Sequence, residues 1–95
     1  MTPTRVTLLT QPDCSLCEHA KQVLARVAAE HPLQVTEIDL ASTAGHELAL
    51  TARVLFAPGV FLDGEPFSHG RLSERKLRRA LAAQQPTPAA MERKP

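Results

Sequence analysis

The segment from residue 5 to residue 40 combines a strand pattern, a helix pattern and a second strand pattern, and this order restricts the fold more than any other feature. Its first part, RVTLL, is a short apolar run that predicts a largely buried strand. Apolar side chains then recur at helical spacing from Leu16 to about Glu30, and Pro32 ends the helix. The segment VTEIDL, residues 35–40, alternates apolar and polar side chains as a strand does. Because a strand–helix–strand unit closes by a right-handed crossover, we expect its two strands to lie parallel in one sheet.

The next part of the chain predicts a short helix followed by a hairpin. The helix runs from about Ala44 to Ala52, with Ser42 or Thr43 as its cap. Asp63-Gly64 then divides residues 59–67 into two apolar runs, and this dipeptide in that position is a strong hairpin signal. We therefore expect an antiparallel pair of strands beside the parallel pair.

The C-terminal part of the chain predicts a last helix and a tail. Ser73 caps a helix that extends to about Ala83. Residues 84–95 contain three prolines and few apolar side chains, which is typical of a flexible tail. We expect one domain over residues 1–83 with the order βαβαββα. This order predicts the α/β class, with a small mixed four-stranded sheet and helices on both of its faces.

Length and composition exclude several classes of function. Ninety-five residues suffice for one domain. The formal net charge is +1 and only three residues are aromatic, which argues against a nucleic-acid partner. No apolar run approaches the ~20 residues that cross a bilayer, and residues 1–10 lack the pattern of a signal peptide. We expect a cytoplasmic monomer without a membrane partner.

Both cysteines lie in one segment, QPDCSLCEHAK, where the first helix is predicted to begin. On a helical wheel Cys17 lies about 80° and Cys14 about 140° from the centre of the apolar face. Cys17 should therefore lie half-buried at the core edge and Cys14 on the solvent side. The free N–H groups and the dipole of a first helical turn stabilise a thiolate, which is the nucleophilic form of cysteine. A second thiol one turn further on can attack a mixed disulfide formed at the first.

Acidic neighbours of Cys14 oppose the formation of a thiolate there. Asp13 and Glu18 disfavour a thiolate at Cys14, unless Asp13 serves as the helix cap. Lys21 follows two turns after Cys14 and is too distant to compensate fully.

Three alternatives to a redox pair remain open for this segment. The spacing of Cys14 and Cys17, with His19 nearby, matches half of a zinc site, but the chain holds no second ligand pair of matching spacing. An iron–sulfur cluster shared between two chains through Cys14 is a further binding function, and a non-catalytic interaction module is the third. A C-x-x-C beside a β-α-β pattern favours the redox function, and we expect no bound metal.

These residues resemble the glutaredoxin branch of the thioredoxin superfamily. The resemblance covers roughly residues 4–81 and includes CSLC at the start of a helix, the EHAK after it, and FAPGVFLDGEPF with its proline before the third strand. It implies a thioredoxin-like fold and thiol–disulfide oxidoreduction, with Cys14 as nucleophile and Cys17 as resolving thiol. It also implies that Pro58 is cis and faces Cys14, and that the backbone of Ala57 contacts an extended substrate.

Several residues depart from the elements with which that branch holds glutathione. Ser15-Leu16 replaces the usual Pro-Tyr pair between the cysteines, and Gln11 stands where a basic residue is usual. Phe56-Ala57-Pro58 replaces Thr-Val-Pro, and residues 69–73, HGRLS, replace a Gly-Gly-x-Asp segment.

The predicted substrate site nevertheless retains groups that suit a disulfide with a carboxylate. Gln11 and Ala57-Pro58 would contact the substrate, while Arg71 and the helix start at Ser73 offer a guanidinium and free N–H groups. We expect no tightly bound cofactor, glutathione or another low-molecular-weight thiol as reductant, and protein or small-molecule disulfides as substrates. A reductase is a further expected partner. The basic run over residues 71–79 is interpreted as a solvated helix face, with a dock for an acidic protein as the minor alternative.

Overall fold

A computed structural model describes residues 3–84 as a four-stranded sheet with three helices. The strands are β1 (Thr4–Thr10), β2 (Leu33–Asp39), β3 (Gly59–Leu62) and β4 (Glu65–His69), and the helices are α1 (Ser15–Ala28), α2 (Thr43–Ala52) and α3 (Glu74–Gln84). The predicted α/β class and the order βαβαββα are confirmed. Of the predicted tail only Gln84 is described, as the last residue of α3, so the domain boundary after residue 83 stays a prediction.

The sheet has the strand order β2-β1-β3-β4 and is mixed. β1 pairs with β2 in parallel, with Val6 opposite Val35, as the crossover predicted. β3 is antiparallel to both β1 and β4. Asp63 and Gly64 form the turn of the predicted hairpin with φ values of 49° and 85°, and the Asp63 carboxylate accepts a hydrogen bond of 2.8 Å from the Arg5 amide.

Helices cover both faces of the sheet, as predicted, because successive side chains of a strand point to opposite faces. On one face, α1 and α3 pack over the strands in a single large cluster of buried side chains: Val6, Leu8, Ala20, Val23, Leu24, Val27, Val60, Leu62, Leu72, Leu77 and Leu81. On the other face, a smaller cluster contains Leu9 and Phe61 together with Ala49 of α2. All four residues of β3 are buried, because this strand lies inside the sheet under both layers.

The start of α2 explains why a glycine lies in the first turn of a helix. Ser42 is the cap, and its hydroxyl accepts a hydrogen bond of 3.0 Å from the Gly45 amide. The same hydroxyl donates to the Asp39 carbonyl at 2.6 Å, which fastens the helix to the end of β2. A Cβ atom at Gly45 would collide with that carbonyl oxygen. Glycine is therefore required by the close approach of α2 to β2.

Ion pairs join the outer edges of α1 and α3. Arg26 of α1 pairs with Glu74 at 2.8 Å, and Arg78 pairs with Glu74 at 3.0 Å and with Glu30 at 2.7 Å. Hydrogen bonds from Arg26 and then Arg78 lower the pKa of Glu74. Within residues 3–84, no helix is long and apolar enough to cross a membrane.

Candidate active site

Three loops that carry predicted site residues lie at the same end of the sheet, because the register of the strands places them there. Leu9, next to the end of β1, lies opposite Gly59 at the start of β3, and Gly59 lies opposite His69 at the end of β4. The loops after β1, before β3 and after β4 are therefore neighbours. They carry the predicted site residues Gln11, Cys14, Ala57, Pro58, Arg71 and Ser73. We call this end of the sheet the redox end.

Cys14 and Cys17 are joined by a disulfide, so this is the oxidised form of the chain. Cys14 is the N-cap of α1, with an extended backbone at φ −117° and ψ 103°. Its Sγ accepts a hydrogen bond of 3.0 Å from the Cys17 amide. The free end of the helix thus directs an N–H group at the sulfur of Cys14.

The two sulfurs differ in accessibility more than the helical wheel predicted. Cys17 is 1% exposed and belongs to the core, whereas Cys14 is only partly buried. The prediction of a half-buried Cys17 at the core edge is therefore wrong. The apolar face of the wheel was centred on four residues, Leu16, Val23, Leu24 and Val27. Leu16 is only partly buried, and the buried face of α1 includes Cys17 and Ala20 instead. Cys14 is therefore the more accessible residue of the two.

The charged side chains near Cys14 differ in position and pairing from those that the sequence predicted. Asp13 does not cap α1, because Cys14 occupies that position, and Asp13 is exposed in a left-handed conformation with φ 53°. Lys21 pairs with Glu18 at 3.2 Å and with Glu37 of β2 at 3.4 Å. These two carboxylates raise the pKa of Lys21, with the hydrogen bond to Glu18 as the larger cause.

Ala57 and Pro58 lie at the redox end, in the loop before β3. The peptide bond between them is cis, as the resemblance implied, and both residues are buried. The Pro58 carbonyl accepts a hydrogen bond of 2.8 Å from the Gly70 amide. This bond links the loop before β3 to the turn after β4, and it brings the Arg71 segment to Pro58.

Two large apolar side chains next to Ala57 are exposed. Leu55 is 81% and Phe56 50% exposed. The Phe56 ring packs edge-on against His69, with 5.5 Å between ring centroids. It also lies over Gly70, where an added Cβ would approach the ring to 3.2 Å. Phe56 and His69, both departures from the glutaredoxin pattern, are therefore in contact and form one surface.

Sequence reasoning did not single out Leu55 and His69 as site residues. The available signal was an apolar Leu-Phe pair directly before Ala-Pro and outside any predicted helix or strand. The other two phenylalanines are more deeply placed: Phe61 is buried, and Phe67 is partly buried against the larger core cluster.

The remaining predicted site residues lie at the redox end without a direct bond to the cysteines. Ser73 is the N-terminal cap of α3, and its hydroxyl accepts a hydrogen bond of 3.2 Å from the Lys76 amide. Arg71 and Gln11 are exposed. Among residues 3–84, no hydrogen bond connects Gln11, Arg71 or Ser73 to either cysteine.

The zinc alternative receives no support from the described part of the chain. There, no group of three or more histidine, cysteine, aspartate or glutamate side chains could hold a metal ion. His19, the histidine near the cysteine pair, lies on α1 with its Nδ1 buried and without a hydrogen-bond partner in residues 3–84.

Comparison with known protein families identifies the domain. The model of the family described as Glutaredoxin-like domain (DUF836) matches residues 5–82, which include both cysteines and the cis Ala57–Pro58 bond. The chain belongs to this family. The resemblance to the glutaredoxin branch, predicted from residues 4–81, is confirmed.

Solved structures share the fold of this glutaredoxin-like domain. A mutant of thioredoxin from Halobacterium salinarum NRC-1 matches with a TM-score of 0.69 at 21% identity, over 92% of this chain and 80% of that one. A thioredoxin-like protein from Clostridium perfringens matches with a TM-score of 0.69 at 16% identity, over 85% and 70%. The thioredoxin-like protein BC3987 matches with a TM-score of 0.62 at 26% identity, over 80% and 99%. The fold is thioredoxin-like, and none of the curated proteins compared with the chain matches it.

Proposed function

We propose that this glutaredoxin-like domain is a thiol–disulfide oxidoreductase in which Cys14 is the nucleophile and Cys17 the resolving thiol. The observation that carries the proposal is the position of Cys14 at the N-cap of α1, where its Sγ accepts the Cys17 N–H at 3.0 Å. Placement at a helix N-terminus lowers the pKa of a thiol, and the thiolate is the attacking species.

The reaction transfers two electrons to the substrate in two exchanges. The Cys14 thiolate bonds to one sulfur of the substrate disulfide, the substrate S–S bond breaks, and the departing thiolate takes a proton from water. The Cys17 thiol then loses its proton, and its sulfur attacks Cys14. The Cys14–Cys17 disulfide forms, and the second substrate thiolate leaves.

The difference in burial supports this division of roles. Cys14 is partly buried and stays within reach of an incoming disulfide, whereas Cys17 is 1% exposed. A buried thiol reacts with a partner that is already attached to its neighbour more readily than with one in solution. In the proposed reaction, the second exchange would produce a Cys14–Cys17 disulfide.

The substrate is proposed to lie between the cysteines and the loop before β3. Ala57 would contact its backbone beside Pro58, and the exposed Leu55 and Phe56 would contact apolar side chains next to its cysteine. We propose that Gln11 borders this groove on the side of β1. Polypeptide disulfides suit such a surface better than a small polar disulfide does.

A carboxylate of the substrate or of a small thiol would lie near Arg71 and the start of α3 at Ser73. A guanidinium and the N–H groups of a first helical turn both suit an anion. The oxidised domain would be returned to the dithiol by glutathione, by another low-molecular-weight thiol or by a reductase. We further propose a cytoplasmic monomer without a tightly bound cofactor.

Exchange of each cysteine tests the proposal. Reduction of a disulfide-linked peptide should fall to the background rate in Cys14→Ser, because no nucleophile remains. Cys17→Ser should accumulate a mixed disulfide of Cys14 with the peptide, detected by intact-protein mass spectrometry, because the resolving thiol is missing. Ser15→Ala, between the two cysteines, is the matched control. It should reduce the peptide at the rate of the unaltered chain and accumulate no mixed disulfide.

The proposal fails if Cys14→Ser reduces the peptide at the rate of the unaltered chain. It fails equally if protein purified without oxygen carries a stoichiometric metal or iron–sulfur cluster that Cys14→Ser loses. That result would favour the binding function. A Cys14 thiol pKa near that of a free cysteine, about 8.5, would favour an interaction module instead.

A further inference from the structure

The outward face of α3 carries three cations and no anion. Arg75, Lys76 and Arg79 are exposed, and on a helical wheel they fall within about 100° of one another. The centre of this group lies about 170° from that of Leu77 and Leu81, which are buried against the sheet. We call Arg75, Lys76 and Arg79 the basic face.

The acidic side chain of α3 does not neutralise this face, because it is used elsewhere. Glu74 lies on the flank of the helix toward α1 and pairs with Arg26 and Arg78. Hydrogen bonds from these two arginines lower the pKa of Glu74 and hold its charge in that network. Among residues 3–84, no salt bridge involves Arg75, Lys76 or Arg79.

The basic face begins at Arg75, five residues after Gly70 of the turn that follows β4. α3 starts after Ser73, and the preceding turn is bonded to the cis proline through Gly70 and the Pro58 carbonyl. Arg75 is the second residue of the helix, and Arg79 follows about 6 Å further along the axis. A polypeptide that crosses the redox end and continues along α3 would therefore place its next residues against the basic face.

We propose that the basic face binds an acidic segment of the disulfide-bearing polypeptide on which the domain acts. This inference rests on the proposed function and adds the partner's chemistry: Asp and Glu side chains flanking the reactive disulfide. Complementary charges raise the rate of encounter and select among partners more than they raise affinity. The redox step itself is the one described above.

A polypeptide suits this face better than a nucleic acid does. Affinity for nucleic acid grows with the number of phosphates neutralised, and three cations within little more than one helical turn neutralise few. The formal net charge of the chain is only +1. A short acidic peptide segment matches both the length and the charge of the face.

Two peptides with the same disulfide core test the proposal, one flanked by aspartates and one by lysines. We measure kcat/KM for their reduction and take the acidic-to-basic ratio. At an ionic strength of about 0.01 M we expect a ratio of about ten, in the range of electrostatic steering. At about 1 M the Debye length falls to about 3 Å and the ratio should approach one.

Two variants with equal changes in net charge locate the effect. Arg75→Glu with Arg79→Glu should invert the ratio. Arg5→Glu with Gln22→Glu and Ala29→Glu changes exposed positions outside α3 and outside the redox end, and should preserve it. Because both measurements use one variant and two peptides, a partial loss of folded protein cancels in the ratio.

A ratio of one in the unaltered chain, or equal loss in both variants, would overturn the basic face as a dock while leaving the proposed function intact. Failure to reduce either peptide would instead refute the proposed function. If a single-stranded RNA oligonucleotide lost binding in Arg75→Glu with Arg79→Glu while the peptide ratio stayed at one, the face would be a nucleic-acid contact and the proposal would be wrong.

Discussion

The redox end and the layer where α1 and α3 cover the sheet use apolar side chains in opposite ways. In the covered layer Leu77 is 0% exposed and Leu8 and Val27 are equally buried, with ion pairs along the outer edges of the helices. At the redox end, Leu55 and Phe56 are exposed beside the buried cis proline. Burial stabilises the first region, whereas exposed apolar surface at the second remains available for binding.

The largest effect is expected in the covered layer. Leu77→Ala removes a fully buried side chain from the large cluster and should lower the free energy of unfolding by about 2–5 kcal/mol, because it leaves a cavity. Urea unfolding measures this change. Leu50→Ala, at a position 66% exposed, is the matched control and should change stability by less than about 0.5 kcal/mol. Equal losses in the two variants would contradict the contrast between buried and exposed leucines.

The reverse test is made at the redox end. Phe56→Ala should raise KM for a peptide disulfide with a neighbouring apolar residue by about fivefold, because the aromatic surface beside Ala57 is lost. The free energy of unfolding should change much less than in Leu77→Ala, since half of the ring is exposed. Steady-state assays measure KM for two peptide disulfides, one with an apolar and one with a polar neighbouring residue. A KM that stays the same for both peptides would remove Phe56 from the substrate surface.

A smaller effect is expected at the charged border of the redox end. Arg71→Ala should raise KM about threefold for a glutathione mixed disulfide, because a charge-assisted hydrogen bond to a carboxylate is lost. A neutral mixed disulfide without a carboxylate is the control substrate and should keep its KM. If both substrates behave alike, Arg71 does not bind the carboxylate.

The smallest effect is expected from the ion pairs of the covered layer. The pKa of Glu74 is lowered in the folded chain from its ordinary value of 4.5, first by Arg26 and then by Arg78. Because the pKa of Glu74 is lower in the folded chain, its ion pairs stabilise the fold above the unfolded pKa. This stabilisation is lost as pH falls through the folded pKa. Glu74→Gln should therefore destabilise the chain slightly at pH 7, and the difference should vanish in strong acid. Urea unfolding at the two pH values measures it, and a pH-independent difference would contradict the assignment.

Local patterns in the sequence determined the order and type of every element. The strand and helix periods between residues 5 and 40 predicted the parallel β1–β2 pair, and Asp63-Gly64 predicted the hairpin. Of the two residues predicted as the cap of α2, Ser42 or Thr43, Ser42 is the cap. Each of these depends on neighbours in the chain, through side-chain periodicity or turn chemistry, so no knowledge of distant contacts was required.

The candidate site could be predicted only in part, since its walls come from segments distant in sequence. The position of Cys14 at the start of a helix follows from the local pattern, but its role as the cap in place of Asp13 does not. The depth of Cys17 depends on how α1 is rotated against the sheet. The contact of Phe56 with His69 arises because the loops before β3 and after β4 meet.

The charges of residues 71–79 also depend partly on local sequence and partly on tertiary contacts. The sequence by itself determined that residues 71–79 are rich in cations and that α3 is amphipathic. Only the tertiary structure decided that Arg78 pairs with Glu30, which is 48 positions away in the chain. The physical reason is that helical periodicity is a local property, whereas charge pairing and burial depend on which elements the fold brings together.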